Sequence, residues 1–172
     1  MLKVRTYLDR SPIHGIGLFS NQEIRAGSMV WEFNPAVDLV YSLDQWDSLK
    51  ANIAAPSFAN LIRLSYKEEG RICFCMDNAQ FMNHSETHDN VVHGLSKSKM
   101  HALRNVARGE ELLCNYLSYS DPDDFHARNI VNKYKGGRDR SVSNIDKREQ
   151  TANAGKGKIN IETTNKNEEK LP

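Results

Sequence analysis

All 14 aromatic residues of this 172-residue chain lie at or before Tyr134, and none follows. That boundary limits what can fold, because ordering the backbone alone costs roughly 1–2 kcal/mol per residue and large apolar side chains must offset it. Residues 136–172 carry eight Lys or Arg against six Asp or Glu, with Val142, Ile145, Ile159, Ile161 and Leu171 scattered among polar residues. Too little can be buried there, so the sequence predicts one folded domain over 1–135 and a polar, disordered tail over 136–172. Without the tail the formal charge falls from +1 to −1. No global field then draws the domain to nucleic acid or an anionic membrane. The tail is mixed in sign and has no rings to stack on bases, which argues against a nucleic-acid partner. No run reaches the ~20 apolar residues of a membrane span, and no apolar signal segment is recognisable. A cytoplasmic protein with no membrane partner is the expectation.

Cys73, Cys75 and Cys114 are too few for a disulfide framework. Cys73 and Cys75 alternate with Ile72, Phe74 and Met76, a strand pattern that puts both thiols on one face. A zinc site needs about four ligands, and no second cysteine pair follows. His84, His88 and His93 lack a partner carboxylate or thiolate at metal-site spacing, so no metal is expected.

Short strands are predicted at Leu2–Leu8, Met29–Phe33, Val37–Tyr41 and at 72–76, 90–95, 100–104 and 111–116, separated by Gly, Asn, Asp and Pro turns. Ser42-Leu43-Asp44-Gln45 has the form of a capping box, with Leu43, Trp46, Leu49 and Ile53 at helical spacing behind it. Asp121-Pro122 is read as the N-cap and first turn of a helix over 122–135 that ends at Gly136. Strands and helices do not alternate, so the expected class is a mainly β, α+β domain with few helices.

Three constellations carry chemistry. His14-Gly15-Ile16-Gly17-Leu18-Phe19 places two glycines where a backbone either makes a plain turn or approaches a ligand closely. Phe81-Met82-Asn83-His84-Ser85 sets three polar side chains directly after two large apolar ones, either as a polar turn or as a hydrogen-bonding site. Gly109-Glu110-Glu111-Leu112-Leu113-Cys114-Asn115-Tyr116 leads a charged turn into a strand ending in tyrosine, whose hydroxyl is either satisfied in the core or aimed into a pocket.

In this order the three resemble the SET domain of protein-lysine methyltransferases, over about residues 1–135 and in the short, stand-alone form. The resemblance implies small curved β-sheets around a knot-like C-terminal crossing, and S-adenosyl-L-methionine as cofactor. Gly15, Ile16 and Gly17 would border that cofactor, Phe81, Asn83 and His84 would hold it, and Phe125 would cover the adenine. Tyr116 would stand at the point of methyl transfer as the catalytic residue, also touching the cofactor. Tyr41, Tyr66 and Tyr119 would line the channel for the substrate lysine. The substrate would be a histone-like or other lysine-containing protein, and the carboxylates of Glu110, Glu111, Asp121, Asp123 and Asp124 would attract it. The alternative is a catalytically weak module of the same fold that binds a peptide without turning it over. Gln80, Asp89-Asn90 and Asn115 depart from the family's usual Arg, Pro-Asn and Asp. The zinc-binding cysteine of some relatives is replaced by Glu86, so closure of the channel falls to the last helix or to a second subunit of a homodimer.

Overall fold

Polar turns cut the chain into strands of two to five residues, too short to form one large sheet, and they assemble as three small ones. The computed structural model describes residues 1–94, 98–124, 127–129 and 131–132. The predicted tail at 136–172, Phe125 and part of the predicted last helix lie outside these residues. Strands β1 (Thr6–Arg10) and β2 (Ile16–Ser20) form an antiparallel ribbon, with Tyr7 stacked on Phe19 at 5.6 Å. The predicted first strand is displaced toward its C-terminal end. Leu2 makes only an isolated bridge to Trp31.

Strand β3 (Met29–Glu32) is followed by β4 (Leu39–Tyr41) and by α1 (Leu43–Asn52). Ser42 caps α1 and shares a reciprocal capping box with Gln45, as the sequence indicates. A second helix, α2 (Ala55–Leu64), follows directly and buries Phe58 against Trp46 at 4.7 Å. Its N-cap, Ala54, makes no side-chain cap, so Pro56 in the first turn marks the helix start without a capping residue before it. Strands β5 (Tyr66–Glu68) and β6 (Arg71–Phe74) make a hairpin that β4 extends. Glu69 and Gly70 both have positive φ at its turn, and their amides donate to the Asp121 carboxylate at 2.8 Å. Asp121 therefore closes this hairpin. Asp124 takes the capping role expected of Asp121, accepting from the Ala127 amide at 3.0 Å.

The third sheet holds the core. Strands β7 (Asn83–His84), β8 (Val91–His93), β9 (Lys99–Ala102) and β10 (Leu113–Cys114) join β3 in the order β3-β9-β8-β10-β7. The last strand lies between two that are consecutive in sequence, parallel to both. Residues 85–90 must therefore arch across β10, which gives the knot-like crossing. Ser85 N–H donates to the Cys114 carbonyl at 3.1 Å at one foot of the arch, and Asn90 N–H donates to the Leu113 carbonyl at 3.0 Å at the other. Leu18, Val30, Trp31, Val91, Val106 and Leu112 are buried beneath, each contributing roughly 1.5–3 kcal/mol. Among the described residues no helix is long and apolar enough to cross a membrane.

Asn90 is 1% exposed and satisfies β10 from its side chain. Its Oδ1 accepts from Leu113 N–H at 2.9 Å, and its Nδ2 donates to the Glu111 carbonyl at 2.8 Å and to Glu110 Oε1 at 3.0 Å. Asn90→Ala would leave buried backbone groups unpaired and is expected to cost about 3 kcal/mol. Urea unfolding should show a lower midpoint at an unchanged slope.

Candidate active site

Three segments far apart in sequence meet at one edge of the β10 crossing. The first is the loop between β1 and β2. Ser11 Oγ accepts from the amides of Ile13 at 2.9 Å and His14 at 3.1 Å, while Ser11 N–H donates to the Gly15 carbonyl at 2.9 Å. Gly15 has φ +54°, the left-handed region that glycine enters without a steric penalty. Gly17 is required for a different reason. A Cβ there would lie 2.2 Å from Glu111 Oε1, so only glycine lets that carboxylate sit against the loop.

The second and third segments are β7 and the turn before β10. Their parallel register sets Asn83 opposite Leu113, and the Leu112 amide donates to the Leu18 carbonyl at 2.7 Å. Asn83 and Glu111, both 8% exposed, are thereby brought together. Asn83 Nδ2 donates to Glu111 Oε1 at 2.8 Å and lies 3.1 Å from the His14 carbonyl and 3.2 Å from that of Ile16. Glu111 Oε2 accepts from Ser11 Oγ at 3.0 Å.

Tyr116 emerges from β10 into a short 3-10 turn capped by Asn115, whose side chain accepts from Leu117 N–H at 3.0 Å. Asn115 thus caps the turn that presents the tyrosine. The Tyr116 hydroxyl donates to the Met82 carbonyl at 2.7 Å, and its amide donates to His84 Nδ1 at 3.1 Å. His84 uses its main chain to pair with Cys114 and its ring to support Tyr116, 5.1 Å between centroids. Behind Tyr116 is a cavity of about 80 Å³, walled by Trp31, Tyr66, Met82, His93 and Tyr119, with Arg63 also on its lining. One water needs about 10–15 Å³. The space therefore accepts a slender chain. Tyr119 packs edge-on to Tyr66 at 5.2 Å and against His93 at 4.3 Å. Burial pushes both phenols well above the ordinary tyrosine range, so they are neutral donors at pH 7.

Gly15, Ile16, Gly17, Asn83 and the edge of the Tyr116 segment are thus brought together, and Tyr66 and Tyr119 join Tyr116 around the cavity. Ile16 is 53% exposed on the open side of the loop. Phe81 is partly buried against the main core. Tyr41 is not brought to the cavity. It packs with Trp46 at 6.2 Å and Phe74 at 5.9 Å beside α1, because β4 pairs with the β6 edge of the β5–β6 hairpin. Phe125 lies outside the described residues. Of the acidic residues, Glu110 pairs with Arg104 at 2.6 Å and Asp123 with Lys67 at 2.5 Å, while Asp121, Asp124 and Glu111 are engaged in the hydrogen bonds above. The roles of Ser11, Glu111, Asn90, His93 and Trp31 were not legible in sequence, since each depends on partners supplied by the crossing. Among the described residues no group of three His, Cys, Asp or Glu could hold a metal ion.

The SET domain model matches residues 15–117, more than half of the chain, from the glycine loop to just past the tyrosine. The chain belongs to the SET-domain family. It is similar to ctPRC2, the Chaetomium thermophilum polycomb repressive complex 2, in an autoinhibited conformation bound to S-adenosylmethionine, at 20% identity and TM-score 0.52 over 78% of this chain and 17% of that one. A humanized mutant of the Chaetomium thermophilum complex bound to an inhibitor gives 19% identity and TM-score 0.50, over 69% and 16%. CpSET8 from Cryptosporidium gives 18% and 0.48, over 68% and 59%. At these identities the likeness is one of fold, and this chain spans less than a fifth of the two complex chains. No curated protein matches.

The thiols follow from the same burial. Cys73 and Cys114 are pushed up from 9.0 to about 12 by desolvation, so the folded state holds their protons where the unfolded chain releases them. Their contribution to stability is complete below pH 9 and is lost as pH rises from 9 to 12. The melting temperature should be level from pH 7 to pH 9 and fall across that window, with native thiols labelled by iodoacetamide far more slowly than unfolded ones.

Proposed function

We propose that the chain transfers a methyl group from S-adenosylmethionine to the side-chain amine of a lysine in a protein substrate. One observation carries this. Consecutive residues of a single segment, Met82 and Asn83, serve both halves of the site: Met82 walls the cavity and holds the Tyr116 hydroxyl, and Asn83 is fixed against the glycine loop. The loop fits the cofactor, because the space beside Gly15 is open to 4 Å from where a Cβ would stand. With the amide donors of Asn83 engaged by the loop and Glu111, its Oδ1 is left to accept from the cofactor's ammonium group. The solved ctPRC2 structure of the same fold, bound to S-adenosylmethionine, supports the choice of cofactor.

When bound, the cofactor supplies a methyl group already activated on a sulfonium, so no metal ion is called for. The protein's task is alignment. His14, Gly15 and Ile16 border the cofactor through their main chain, and Asn83 and His84 hold its polar end. The cavity walls of Trp31, Met82 and Met100 desolvate the incoming lysine, depressing its pKa from about 10.4 toward the neutral, nucleophilic amine. Its proton leaves through water at the cavity mouth. Tyr116, held by the Met82 carbonyl and by His84, directs the amine toward the methyl group with its hydroxyl and ring. A phenol of pKa about 10 does not serve as the committed base at neutral pH. Tyr66 and Tyr119 set the width of the channel.

Incubation of a mixed protein extract with the protein and methyl-labelled S-adenosylmethionine should label lysine residues identifiable by mass spectrometry. Tyr116→Phe should reduce the rate at least about a hundredfold while retaining cofactor binding, the magnitude expected for loss of one group aligned with the reacting atoms. Cofactor binding without any transfer by the intact protein would instead support the peptide-binding module.

A further inference from the structure

Glu111 lies outside the cavity lining and touches none of the residues that face the lysine, yet it is buried at the centre of a closed relay. We infer that Glu111, with Ser11, is a positioning device for the cofactor loop: one buried negative charge holds the loop's donors and acceptors in register with Asn83. This rests on the proposed use of S-adenosylmethionine.

The relay accounts for each polar atom in turn. The Ser11 hydroxyl has one proton and two lone pairs. Its lone pairs receive the Ile13 and His14 amides at 2.9 and 3.1 Å, so its proton can only point outward, to Glu111 Oε2 at 3.0 Å. The other carboxylate oxygen receives Asn83 Nδ2 at 2.8 Å, and the same amide nitrogen faces the carbonyls of His14 and Ile16. Residues 13–16 are thus held at both ends of their peptide groups, the donors through Ser11 and the acceptors through Asn83. Among the described residues, Glu111 is the side chain that joins the two. A carboxylate is an acceptor at both oxygens, which is what Ser11 and Asn83 each require. It also fixes the amide orientation of Asn83, turning Oδ1 away from Glu111 and toward the cofactor side of the loop. Gly17 belongs to the same device, because any Cβ would expel the carboxylate.

Glutamine in place of Glu111 keeps the shape and removes one acceptor. Its amide group would confront either Asn83 Nδ2 or a serine hydroxyl whose lone pairs are already filled, and either contact breaks the relay. Loss of a charged hydrogen bond in a buried site predicts weaker cofactor binding by about ten- to a hundredfold. The reacting end is untouched, so kcat at saturating cofactor should stay within about threefold while KM for the cofactor rises with Kd.

The test is calorimetric titration of S-adenosylmethionine into the wild-type protein, Glu111→Gln, Ser11→Ala and the double variant, with kcat and KM measured in parallel. Expected are a raised Kd in both single variants and a double variant no worse than Glu111→Gln alone, since each breaks the same relay. Wild-type affinity in Glu111→Gln, or strictly additive losses, would overturn the inference. A fall in kcat without a change in KM would also overturn it, by moving Glu111 to the reacting end. Should Glu111→Gln fail to fold, Ser11→Ala interrupts the relay from its other end by removing a single hydroxyl, and an unchanged Kd there refutes the proposal. Failure of the proposed function gives a different result, no binding by the wild-type protein.

Discussion

The crossing of β10 beneath residues 85–90 is the constraint on which the rest of the domain depends. A strand of two residues has little stability of its own, and β10 gains its place by pairing on both edges at once. The arch supplies what such a short ladder lacks. Asn90 satisfies the backbone of Leu113 and Glu111 from its side chain, and Ser85 secures Cys114 from the other foot. With β10 fixed, its two ends are fixed as well. Glu111 lies just before it and Tyr116 just after, so the loop anchor and the tyrosine are set by one strand rather than by separate supports.

Charge inside the domain is used for construction. Asp121 closes the hairpin between β5 and β6, Asp124 binds the Lys67 amide and caps the following turn, and Glu110 ties Arg104 to the arch through Asn90. Partnered carboxylates of this kind contribute little field to a distant substrate. Among the described residues on the cavity lining, Arg63 is the one Lys, Arg, Asp or Glu. The cavity is thus lined mainly by aromatic, apolar and neutral polar side chains.

Local signals were legible in the sequence, and signals that require a distant partner were not. The capping box of Ser42 and Gln45 is complete within four residues and specified α1. The alternation around Cys73 placed that thiol in a buried strand, and the order of glycine loop, Asn-His-Ser and terminal tyrosine pointed to the family whose model matches residues 15–117. By contrast, α2 begins at an alanine without a side-chain cap and was not recognised. Gly17 was legible as a glycine, yet its reason is a carboxylate from the far end of the domain. Asp121 sits before a proline in the pattern of a helix cap, but the two amides of a tight hairpin turn claim its oxygens first. Glu111 was legible as a surface charge only because charge is what a sequence displays; its burial comes from the crossing.

That crossing also fixes when the site can exist. β7 and β8 leave a gap that only β10 fills, and neither the support for Asn83 nor the seat of Tyr116 is present until it is filled. A chain folded up to Leu103 would hold the glycine loop and the Asn-His-Ser segment, but with no carboxylate between them and no tyrosine beyond. The placement of one two-residue strand is thus a shared dependency: whatever displaces β10 removes the carboxylate from the glycine loop and the seat of the tyrosine together.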